Sequence, residues 1–117
     1  MREPVRDKGR LEHILESVNN IYEFVEGYKP GQILTDKVRY FAIVYQLVVI
    51  GEAANMLTKD FRMTHPLTPW REIIGMRHFI VHGYNILDKN EVLRVISNDL
   101  SILKSQIEDY LSEMEQQ

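Results

Sequence analysis

Tyr40-Phe41-Ala42-Ile43-Val44-Tyr45-Gln46-Leu47-Val48-Val49-Ile50 decides the fold, because this stretch is apolar on almost every side. Such a segment belongs inside a bundle, and the pattern predicts it as the central, most buried helix. Thr35 or Asp36 can start it by accepting from the free amides of a first turn, and it continues through Glu52 to about Lys59. On its N-terminal side Leu11, Ile14, Leu15, Val18, Ile21, Tyr22 and Val25 recur at steps of three and four, a helix with one apolar stripe. Gly27, Pro30 and Gly31 end that helix. On the C-terminal side Phe61 to Pro66 reads as a connection, since Pro66 lacks an amide proton and restricts the residue before it. Thr68 as cap and Pro69 at the first position start a third helix that carries Trp70, Ile73, Ile74 and Arg77 and stops near His82 at Gly83. Asp88 with Glu91 forms a capping box for the last helix, whose stripe is Val92, Val95, Ile96, Leu100, Leu103, Ile107, Tyr110, Leu111 and Met114. No alternating strand pattern appears, although Phe79 to Val81 has strand propensity. The expected architecture is all-α: an antiparallel bundle of four main helices, with a short helix or turn near the connection, forming one domain over residues 1–117.

Composition narrows the chemistry. The 117 residues are 44% hydrophobic and 26% charged, which suits a folded domain and excludes a disordered or fibrous chain. No apolar run reaches the roughly 20 residues that cross a bilayer, and Met1 to Arg10 is charged where a signal peptide is greasy, so a cytoplasmic protein is expected. With no cysteine, thiolate nucleophiles and cysteine-held metals are excluded, leaving His, Arg, Tyr, hydroxyls and carboxylates. The net charge of −3 is unevenly spread. Between Leu57 and Tyr84, Lys59, Arg62, Arg71 and Arg77 outnumber Asp60 and Glu72, and His65, His78 and His82 lie in the same stretch.

Arg77-His78-Phe79-Ile80-Val81-His82-Gly83-Tyr84 is where chemistry concentrates. Its plain reading makes Arg77 a surface ion-pair partner and His82 a helix cap. Its chemical reading sets a proton carrier of near-neutral pKa beside a fixed cation that grips phosphate through two donors. His78 and His82, four residues apart, share a helical face and could bind zinc, but Phe79 stands where a zinc peptidase carries Glu and only distant His65 offers a third ligand. No metal or other cofactor is therefore expected. Gly51, Gly75 and Gly83 are too scattered for a phosphate-cradling loop, and Ser17, Ser97 and Ser101 lie in helical patterns without a nucleophile's turn.

Ile50-Gly51-Glu52-Ala53, Phe61-Arg62, His65-Pro66, Pro69-Trp70-Arg71-Glu72-Ile73-Ile74-Gly75-Met76-Arg77 and Val81-His82-Gly83-Tyr84 together resemble the HepT-like branch of the HEPN domains. The resemblance implies a ribonuclease toxin that acts as a homodimer without metal and is paired with a nucleotidyltransferase antitoxin of the MntA type. Position by position, Arg77 and His82 match the family's catalytic Arg and His, and Tyr84 matches the tyrosine that the antitoxin modifies with AMP. The family usually has Asn at position 78, where this chain has His.

Metal-free RNA cleavage uses the RNA's own 2'-hydroxyl as nucleophile and needs a base, an acid and positive charge for the phosphorane oxygens. One chain offers one well-placed His. A twofold dimer supplies two copies of His82 and Arg77 across a shared groove. On this reading His82 is base or acid, Arg77 holds the phosphate, His78 assists or orients, and Arg62, His65 and Arg71 are candidate RNA contacts. The competing class is a non-catalytic helical module that binds a nucleotide or a partner nucleotidyltransferase.

Overall fold

The first helix, α1 (Arg2–Val25), forms on the predicted stripe, and Leu11, Ile14, Val18 and Ile21 are completely buried. It begins well before Leu11, so the charged N-terminal stretch is helical as well. Gly27, with φ +80, lets the chain turn out of the helix in the left-handed region open to glycine. The structure is a computed structural model that describes the backbone over residues 2–82 and 89–116 and the side chains over residues 6–76 and 89–116.

A short helix that the sequence reading left out, α2 (Pro30–Thr35), follows. Pro30 and Gly31, read as breakers, sit in its first turn, where a missing amide proton costs nothing. Asp36 then caps α3 (Lys37–Asn55), accepting from the Arg39 amide at 3.1 Å, as expected. The Arg39 guanidinium reaches back to the Phe24 carbonyl at the end of α1 and lies 3.7 Å from the centre of the Tyr28 ring.

α3 ends at Asn55, earlier than predicted, because Thr58 starts another helix. This is α4 (Lys59–Thr64), the short helix expected near the connection. The Thr58 hydroxyl accepts from the Phe61 amide and donates to Asp7 Oδ2 at 2.7 Å, while Asp7 Oδ1 takes the Thr58 amide at 2.8 Å. Asp7 is buried, so its carboxylate clamps α1 to the start of α4. Replacing Asp7 with Ala removes two charge-assisted bonds and is expected to cost about 1.5–3 kcal/mol. Urea unfolding measures this, and a stability loss below about 0.5 kcal/mol would show that the clamp carries no weight.

α5 (Trp70–His82) is helical throughout, including Phe79 to Val81. Thr68 does not cap it. Its hydroxyl is buried and bonds instead to Gln106 Oε1 and the Tyr110 hydroxyl, both at 2.6 Å, tying the start of α5 to the last helix. Trp70 is a core anchor, with its indole N–H donating to the His65 carbonyl at 2.9 Å.

The last main helix is continuous from α6 (Lys89–Arg94) through a π-helical turn (Val95–Asp99) to α7 (Leu100–Glu115). Val95 and Leu100 are both buried although five residues apart. On an α-helix that step turns about 140° and would send one of them outward. The wider turn keeps both on the core side, so the stripe resumes with Leu103, Ile107 and Tyr110. The expected cap at Asp88 lies outside the described residues. α1, α3, α5 and α6–α7 are thus the four main helices of an all-α bundle. α3 packs against both α1 and α5, and α7 closes on α1.

Candidate active site

α5 presents the Arg77-to-His82 motif on its last two turns. The backbone stays α-helical through His82, so the five-residue step sets Arg77 and His82 about 140° apart in azimuth and about 7.5 Å apart in rise. Position 78 shares a helical face with position 82. The side chains of Arg77, His78 and His82, and all of Gly83 and Tyr84, lie outside the described residues.

What surrounds the motif follows from how α5 packs on α3. Asn55 shares a depression with Trp70, Arg71 and Ile74, whereas Leu47 and Ile50 share a groove with Ile73 and Met76. The two helices therefore run antiparallel, and the same register carried onward sets residue 82 level with the stretch from Phe41 to Tyr45. α3 is the central, most buried helix among the described residues, as read, yet this stretch leaves one of its faces uncovered. Tyr40, Ile43, Leu47 and Ile50 are in the core, but Val38 is 82% exposed, Phe41 61% and Tyr45 63%. These three lie at i, i+3 and i+7, one apolar stripe open to solvent. Glu52 is exposed on the same helix. The signal was in the sequence: a helix apolar all round has two faces to cover, and α1 and α5 cover only part of it.

The three candidate RNA contacts separate. Arg62 and Arg71 line one depression of about 720 Å³ between α4 and α5. His65 is held elsewhere: its ring stacks on Phe61 with centroids 3.9 Å apart, meets the Tyr110 ring at 4.7 Å, and places Nδ1 2.9 Å from the Phe61 carbonyl. It closes the end of α4 and packs with Phe61, Trp70 and Tyr110.

On the other side of α5 an apolar groove of about 750 Å³ separates it from α6 and α7, lined by Leu47, Ile50, Ile73, Met76, Leu100 and Leu103. Glu91 and Arg94 stand at its rim, where the guanidinium bonds hold the carboxyl of Glu91 below the usual carboxylate range. Among the described residues no three His, Asp or Glu side chains cluster as metal ligands.

The chain is thus an all-α bundle whose third main helix ends in Arg-x4-His. Residues 14–110 match the family described as ribonuclease HepT-like, and the chain belongs to that family, a branch of the HEPN ribonucleases. A Thermococcus cleftensis protein named as a probable ribonuclease HepT is 35% identical over 101 residues, covering 86% of this chain and 92% of its own. A candidate RNase of Methanocaldococcus jannaschii is 31% identical over 101 residues, 86% of this chain and 93% of that one. A candidate RNase of Caldanaerobacter subterraneus is 35% identical over 86% of this chain and 90% of its own. No solved structure matches the chain.

Proposed function

We propose that the chain is a metal-independent endoribonuclease toxin whose active site is completed by a second copy of itself. One observation carries this reading: the Arg77-to-His82 motif ends α5 at the level of the exposed Phe41 and Tyr45 on α3. An apolar face that water would otherwise wet stands at the axial level of the helix end that carries Arg77 and His82, residue types that hold phosphate and move protons. Pairing two such faces about a twofold axis buries the aromatics and brings two motifs to one groove.

In that groove one His82 takes the proton of the RNA 2'-hydroxyl as it attacks phosphorus, and its twofold mate gives a proton to the leaving 5'-oxygen. The products are a 2',3'-cyclic phosphate and a free 5'-hydroxyl. Arg77 neutralises the phosphorane oxygens through its fixed pair of donors, and His78, on the face of His82, assists or orients. Tyr84 lies two residues beyond His82. Addition of AMP to its hydroxyl by an MntA-type nucleotidyltransferase antitoxin would add bulk and negative charge beside a cationic groove and repel RNA. No helix among the described residues is long and apolar enough to cross a membrane. A substrate of cellular RNA suits a cytoplasmic enzyme.

Incubation of the purified chain with labelled RNA in excess EDTA tests the chemistry. Cleavage should persist, and every newly formed 3' end should carry a cyclic phosphate while every newly formed 5' end carries a hydroxyl. Cleavage that stops with EDTA and returns with a divalent cation would overturn the metal-free mechanism.

A further inference from the structure

We propose that the depression between α4 and α5 is a second phosphate site, one that grips the RNA away from the cleaved bond. The inference takes from the proposed function only that RNA is the ligand. Three cations, Lys59, Arg62 and Arg71, line this depression, and Glu72 is the one acidic side chain among the described residues that line it. None of the three cations makes an ion pair or a side-chain hydrogen bond among the described residues. Arg39 and Arg94, by contrast, have their guanidiniums engaged. Of the three, Arg62 is the most enclosed: its Nε has no acceptor, a state it shares with the Nε of Arg10 and Arg39 elsewhere in the bundle.

Unpaired cations converging on one concavity fit a phosphodiester oxygen, which accepts from several donors at once. Met63, 68% exposed, adds an apolar rim on which a base can lie, a feature that a partner bringing only carboxylates would not use. Arg71 precedes His82 by eleven residues, about 16 Å along α5. The cleaved phosphate and the gripped phosphate therefore cannot be the same one. The site sets the direction and register of the strand, while Arg77 and His82 act on the bond.

The test is the affinity of the full chain for a single-stranded RNA of about 12 nucleotides, 2'-O-methylated throughout so that no nucleophile remains, across a salt series. Lys59→Gln with Arg71→Gln removes two charges from exposed positions and leaves the fold untouched; adding Arg62→Gln completes the set. Lys8→Gln with Lys29→Gln, also exposed, is the control for net charge alone. The triple variant should bind at least about tenfold more weakly, and the slope of log affinity against log salt should flatten by at least about 0.7, the share of one single-strand phosphate contact. The control pair should do neither. Equal losses in the control and the Lys59/Arg71 pair, or an unchanged slope in the triple variant, would overturn the site. Unchanged RNA affinity with weaker capture of the co-expressed nucleotidyltransferase would reassign the depression to a protein partner and so overturn it as well. A wild-type chain that binds this RNA but never cuts its unmethylated form removes the catalytic reading and leaves the phosphate site in place.

Discussion

On the proposed mechanism, His82→Ala should lower RNA cleavage by at least about a hundredfold while leaving the helical content and the mass of the proposed dimer unchanged. The size follows from what a positioned proton carrier contributes, typically 10²–10⁴ in rate. In the proposed twofold site one substitution would remove both the base and the acid, which places the expected effect toward the upper end of that range. Arg77→Ala is expected to fall in a similar range, because loss of a preorganised cation at the phosphorane costs about 10²–10³. The two differ in pH dependence. The wild type should show a bell-shaped rate profile around neutrality, since one imidazole must be neutral and the other charged. Arg77→Ala should keep the bell at reduced height, and His82→Ala should lose it. Cleavage retained by His82→Ala would return the chain to the non-catalytic class, in which the helix end serves only as an interface.

Phe41→Glu with Tyr45→Glu should abolish activity by a different route, dissociating the proposed dimer. Both side chains are more than 60% exposed in the single chain, so charging them costs the fold little. At the centre of an interface each aromatic anchor is worth about 2 kcal/mol or more, and each occurs on both subunits. The four losses together weaken the dimer by more than about a thousandfold, before the repulsion among the new carboxylates is added. Sedimentation should show the mass of one chain, with circular dichroism unchanged and cleavage lost. A variant that stays dimeric, or a monomer that still cuts RNA, would refute the shared site. Thr68→Val serves as a contrast: it breaks the bonds to Gln106 and Tyr110 inside the bundle and is expected to lower stability without changing the dimer.

The sequence by itself determined the four main helices and much of the core. The steps of three and four through Leu11, Ile14, Val18 and Ile21 have only one helical solution, and burial is set by that periodicity. The Asp36 cap and the family were legible for the same reason: both rest on residues close in the chain. Tertiary structure alone decided that Thr68 turns from the helix start to Tyr110, that Asp7 binds Thr58 across 51 positions, and that a π-helical turn keeps Val95 and Leu100 on one side. It also decided that α3 leaves Phe41 and Tyr45 bare, and that Lys59, Arg62 and Arg71 face one hollow while His65 turns into an aromatic cluster. Periodicity says that a side chain needs cover. Which neighbour supplies that cover depends on distances between segments remote in sequence, and only packing sets those.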